Sequence, residues 1–249
     1  MSLQFHWEDE FTTAERRVLV DWLEETQAAL EGLVGTLPFR VHLFLHRTRA
    51  NEPVPWAHTE RGSRQGVHFH VDPSFPLAAF RADWTAPHEL AHLILPYVGR
   101  QHAWFAEGFA SFMQYRVMQA MGVLDEPAMR GRYKRNVTKA QRDYANNPKY
   151  SDQPFADAAP MLRSDRRYPT MYWGGAGYFL RVERALAERD RSLIDVLRAY
   201  VACCRARPQQ LERLVAELDG ICSATVWQEE LRRFRLQRGF PDVSNTAAD

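Results

Sequence analysis

The segment His88-Glu89-Leu90-Ala91-His92 constrains this chain more than any other, because it sets two imidazoles and a carboxylate into an apolar stretch. Pro87 and Pro96 bracket it, and Asp83 or Thr85 stands where a helix between them would be capped. On a helix, residues four apart leave the same face, so both imidazoles project toward one point. Leu90, Ala91, Leu93, Ile94 and Leu95 surround them with apolar surface, which predicts that the helix is buried. A buried His-Glu-His cluster is costly unless something pairs with it. The fold must supply that partner, and one metal ion suits the spacing.

A third ligand is offered by Trp104-Phe105-Ala106-Glu107-Gly108-Phe109-Ala110, which places Glu107 near the start of the next helical segment, with Gly99 in the turn between. Three protein ligands and an open fourth position for water are what a catalytic zinc site requires. From the residues alone two alternatives stay open: His102 as the third ligand, or a core histidine pair satisfied without metal. Other metal chemistries fail on spacing. A metzincin needs a glycine and a third histidine where Leu95 and Val98 stand, and a di-iron bundle needs two Glu-x-x-His units, of which Glu89 to His92 supplies one.

With these residues in view, the sequence resembles the gluzincin metallopeptidases, in particular the aminopeptidase N and glycyl aminopeptidase families. His88, His92 and Glu107 match the zinc ligands of those families, and Glu89 matches their general base. Tyr172-Trp173-Gly174-Gly175-Ala176 resembles their downstream tyrosine motif, which makes Tyr172 the oxyanion donor by implication. The resemblance spans about Gly66 to Arg181. It implies a thermolysin-like zincin core, a Zn2+ cofactor and a peptide or protein substrate lying along a strand edge at Val67–Val71. Two features depart from the pattern: the His92 to Glu107 interval is shorter, and the glycine-rich exopeptidase motif is absent before the Val67 strand. Aminopeptidase specificity is therefore not carried over.

The rest of the chain reads as α+β, with a small N-terminal sheet followed by a mostly helical C-terminal half. Apolar residues from Val18 to Leu33 recur at helical spacing after Thr12 or Thr13. Phe39–His46 and Gly66–Val71 read as two strands of one sheet, separated by a long Arg-, Pro- and Gly-rich loop from Arg47 to Gln65. Helices are expected up to Pro96, then over Ala103–Met121, Glu126–Ala145, Thr170–Arg189 and Leu193–Cys204, with two more before Gly239. A polar stretch lies between Asn146 and Tyr168, and the tail after Gly239 is expected to fray. These pieces read as one catalytic unit over 1–249: helix and sheet over 1–82, ligand helices over 83–145, a helical lobe over 146–240 and a tail over 241–249.

Composition narrows the function. With 249 residues, 45% hydrophobic, a sizeable core needs no disulfide support. Lys and Arg number 32 against 31 Asp and Glu, a net charge of +1, which gives no overall pull toward nucleic acid or anionic membrane. The aromatic pattern around Arg130, Arg132, Lys134, Arg135 and Arg142 does not suggest a nucleic-acid groove, and these residues read as a solvated helix face. Cys203, Cys204 and Cys222 form neither a CxxC pair nor an even framework, so they are expected to be packing residues in a reducing, cytoplasmic compartment. No signal-like N-terminus and no apolar run of about 18 residues is present, so no membrane association is expected. The expected function is a zinc-dependent peptidase. The alternatives are a metal-binding but inactive regulatory module and a non-peptide zinc hydrolase on the same scaffold.

Overall fold

The structure, a computed structural model, describes residues 3–62, 64–205 and 209–248. The chain is α+β as expected. Strand β1 (Leu3–Trp7) is followed by helix α1 (Thr13–Val34), strands β2 (Val41–Arg47), β3 (Trp56–Arg61) and β4 (Gln65–Val71), and short helices α2 (Leu77–Ala82) and α3 (Thr85–Ala91). A 3-10 turn (Arg100–His102) then leads into α4 (Ala103–Ala120), α5 (Glu126–Ala145), α6 (Phe155–Ser164), α7 (Tyr168–Ala187), α8 (Leu193–Cys203), α9 (Leu211–Cys222) and α10 (Val226–Leu236).

The strands form one sheet in the order β1-β2-β4-β3, with β3 antiparallel to β4 and the other pairs parallel. Two strands were not expected. β1 is too short to announce itself and gains its hydrogen bonds from β2, far along the chain. β3 lies inside the segment read as a loop, where Pro and Arg mask its alternation. Its presence corrects the site reading as well: β4 is paired on both sides, so the Val67–Val71 edge is not free for substrate, and the edge on that side of the sheet belongs to β3.

Leu43, Leu45, Val67, Phe69 and Val71 point from one face of the sheet into the core. There α1 covers them, held at its start by a capping box between Thr12 and Glu15. Trp22 of α1 packs on Phe69 at 5.5 Å between ring centroids and on Phe80 of α2 at 4.9 Å. Helix α4 runs through the middle of the molecule. From Trp104 to Met118 all its residues are buried except Glu107, which marks it as a core helix with a single opening.

Helix α7 crosses α4 at two glycines. A Cβ on Gly175 would stand 2.0 Å from the Trp104 carbonyl oxygen, and one on Gly108 would stand 2.2 Å from the Gly175 carbonyl carbon. Only hydrogen fits there, and the two backbones meet directly. A partly buried ion pair braces the same helices farther along, where both Arg116 Nη2 contacts to the Glu183 carboxylate are 2.6 Å and Tyr133 hydrogen-bonds the Phe112 carbonyl beside it.

Three further expectations are corrected. The stretch between Asn146 and Tyr168 contains α6, despite Pro160 inside it, because Phe155, Ala158, Ala159 and Leu162 bury one face. The tail does not fray over its described residues: Pro241 and Val243 pack on Gly177 of α7, Ser244 accepts a hydrogen bond from Arg184 at 2.9 Å, and Ala248 is buried. Cys203 and Cys204 are bonded to each other, since the chain leaves α8 at this point and adjacent thiols can meet in a turn. Only Cys222 matches the packing role, buried and free. No helix among the described residues is long and apolar enough to cross a membrane.

Candidate metal centre

Helix α3 starts with Asp83 Oδ1 accepting the Thr85 amide at 2.7 Å, and Pro87 falls in the first turn, where its missing N–H costs nothing. Its end tightens: Leu93 and Ile94 donate to the carbonyls of Leu90 and Ala91, three residues back. Two guanidinium groups from elsewhere take up carbonyls at this end. Arg61 of β3 donates to the His92 carbonyl at 3.3 Å, and Arg205 donates to that of Leu93 at 2.6 Å. Both positive charges sit where a helix C-terminus favours them. Burial pushes the Arg205 pKa down to about 10.

His88 and His92 are 2% and 4% exposed. Their Nε2 atoms stand 3.3 Å and 3.4 Å from Glu107 Oε2. One donor atom from each of the three residues lies within 4.8 Å of the others, the one such cluster of three or more His, Cys, Asp or Glu among the described residues. His102 does not join it. That ring has Glu212 and Arg235 as its electrostatic neighbours, on the side of α9 and α10.

The surroundings of the trio bear on its chemistry. His88 Nδ1 lies 2.9 Å from Gln114 Oε1, an oxygen that can only accept, so Nδ1 carries a proton and Nε2 is the nitrogen turned toward Glu107. Burial opposes charge on His88, yet Glu107 and Glu89 outweigh it and raise its pKa. Burial likewise opposes charge on Glu107, and the two histidines outweigh it and hold the carboxyl far below its ordinary range. Among the described residues His92 Nδ1 is buried without a hydrogen-bond partner. This donor set, two imidazole nitrogens and a carboxylate oxygen converging on one point, fits a zinc ion.

Glu89 follows His88 by one residue and so points about 100° away around the helix. Its Oε2 accepts a hydrogen bond from the Thr59 hydroxyl at 2.7 Å, which ties the edge strand β3 to α3. Tyr172 lies on the other side, its ring stacked on His88 at 5.7 Å. Burial first, then the charges of Glu107 and Glu89, raise the phenol pKa well above its usual value. Tyr178 is fully buried and donates to the Trp227 carbonyl at 2.8 Å. Beside Tyr172 opens a cavity of about 240 Å³ walled by Trp84, Tyr115, Tyr168, Tyr172 and Trp173 over Ser111, Gln114 and Asn136. A hollow of about 430 Å³ shares Asn136, Pro169 and Trp173 with it and reaches toward Lys139 and Arg166.

The structure thus brings His88, His92, Glu107, Glu89 and Tyr172 to one place. Sequence reasoning missed Gln114, Thr59, Arg61 and Arg205. Gln114 was findable, since it follows Glu107 by two helical turns and shares its face; the other three come from segments whose approach no local pattern reveals.

Neither a protein-family model nor a curated protein matches this chain. Among solved structures it is similar to a mutant M1 zinc metallopeptidase from Deinococcus radiodurans bound to a Tyr-Ser-Ala substrate, with a TM-score of 0.52 and 17% sequence identity. The match covers 95% of this chain and 48% of the other, so the chain spans about half the length of that protein. At this identity the likeness concerns the fold alone: an α+β architecture with a small N-terminal sheet followed by a mostly helical half.

Proposed function

We propose that this chain is a zinc-dependent peptidase acting as a single catalytic unit, with Zn2+ held by His88, His92 and Glu107. The convergence of those three side chains beside a carboxylate and a protonated phenol carries the reading. A zinc ion bound there supplies Lewis-acid chemistry, lowering the pKa of water toward about 7 and polarising a carbonyl.

The chain's own residues divide the remaining work. Thr59 holds one oxygen of Glu89, which fixes the carboxylate rotamer and leaves the other oxygen to take a proton from the attacking water. Glu89 then returns that proton to the leaving amine. Tyr172, kept protonated by its surroundings, donates to the oxyanion that develops on the scissile carbonyl. The extended substrate pairs with the free edge of β3, and a side chain enters the cavity next to Tyr172.

Metal analysis of the purified protein, followed by digestion of a diverse peptide library with and without chelator, tests the proposal. Glu89→Gln should keep near-stoichiometric zinc and lose at least about 10²-fold in rate. Zinc without any peptide cleavage would favour the binding module, and cleavage confined to non-peptide amides or epoxides would favour the other hydrolase.

A further inference from the structure

Six of the chain's nine histidines lie on the face of the sheet turned away from the core. Strand alternation puts them there, each outward histidine of β2 and β4 being flanked by inward Leu43, Leu45, Val67, Phe69 or Val71. Register then aligns them across strands. His6, Phe44, His68 and His58 stand opposite one another on successive strands, and so do His46, His70 and Trp56. Phe44 stacks on His68 at 4.2 Å, His68 on His58 at 4.6 Å, and His46 on His70 at 4.6 Å.

Two pairs of ring nitrogens come close: His6 Nε2 to His42 Nδ1 at 2.9 Å, and His46 Nε2 to His68 Nδ1 at 3.0 Å. Charge separates them. Arg64 and Arg40 act on His42 and would repel a cation, with Glu60 opposing them more weakly. At the second pair the Glu60 carboxylate lies 3.7 Å from the remaining nitrogen of His68. That carboxylate favours the proton on His68 Nε2 and leaves the Nδ1 lone pair toward His46, the arrangement by which protein ligands are oriented from behind.

We propose that His46 and His68 form a second metal site, a two-histidine chelate for a divalent ion of the copper, nickel and zinc class, with Glu60 orienting His68 and solvent completing the coordination. The spacing suits it. Two nitrogens each about 2.0–2.1 Å from an ion and at right angles to one another are about 2.9 Å apart, which favours the tetragonal preference of Cu2+ and Ni2+ over tetrahedral zinc. On binding, His46 moves its proton from Nε2 to Nδ1 through solvent, so both rings remain neutral and no net proton is released. The site lies on the opposite face of the sheet from Thr59 and α3, and it stands whether or not the peptidase reading does.

Copper titration by calorimetry, with electron paramagnetic resonance of the bound ion, tests this. The parent should take up one equivalent more than a His46→Ala/His68→Ala double variant, with nitrogen couplings from two imidazoles. Glu60→Gln should weaken that step about tenfold, and His6→Ala should leave it unchanged. Equal uptake by parent and double variant, or loss of the step in His6→Ala, would overturn the proposal. Should the double variant fail to fold, as judged by circular dichroism, Glu60→Gln decides alone, and unchanged copper affinity there overturns the site.

Discussion

Removing the Tyr172 hydroxyl separates its proposed chemistry from its ring. Tyr172→Phe keeps the stack on His88 while deleting one donor, so kcat on a cleaved peptide should fall about 10²- to 10³-fold with KM and zinc content nearly unchanged. Tyr178→Phe makes the opposite trade. It removes the buried hydrogen bond to the Trp227 carbonyl, costing about 1 kcal/mol in unfolding free energy, and should leave kcat alone. Equal kcat losses in both variants would remove Tyr172 from the mechanism. Gln114 offers a third measurement at this scale. Gln114→Leu leaves the Nδ1 proton of buried His88 without an acceptor, so zinc affinity measured by competition with a chelating dye should drop about 10- to 100-fold.

Between helices, the glycine crossing sets how far Glu107 stands from Tyr172. Gly175→Ala would drive a methyl group into the Trp104 carbonyl and push α7 off α4. The expected loss is about 1–3 kcal/mol or more in a denaturant melt, accompanied by a lower kcat because Tyr172 moves with its helix. Most helices were legible in this chain, α6 with its internal Pro160 being an exception. The α5 boundaries follow from Asp125 and Pro127 at its start and periodic Met129, Tyr133, Val137, Ala140 and Tyr144 along it. The His88–His92 spacing likewise placed two imidazoles on one face, where the structure keeps them. What escaped was non-local. β1 exists through its register with β2, β3 through its pairing with β4, and the links from Thr59 and Arg61 to α3 depend on that pairing. Local periodicity carries no record of which strand neighbours which.

Across the whole molecule, several turn carboxylates share one electrostatic pattern. Ser74 and the Ala50 amide hold Asp72 below its usual pKa, Lys149 and Tyr150 do the same to Asp165, and Ser244 does so to Asp242. A carboxylate depressed in the folded state stabilises it fully above the unfolded value of about 3.9, and this contribution is lost as pH falls through the folded value. The melting temperature should therefore decline below about pH 4, and Asp72→Asn should make that decline shallower; an unchanged acid profile in this variant would contradict the assignment. The docked tail has a bearing on synthesis. Phe240 packs on Tyr144 and Phe155, while Pro241 and Val243 seal the Gly177 face of α7, so the helix carrying Tyr172 leaves the ribosome before the segment that covers it has been made. A nascent chain stalled ahead of Phe240 therefore leaves the Gly177 face of α7 uncovered.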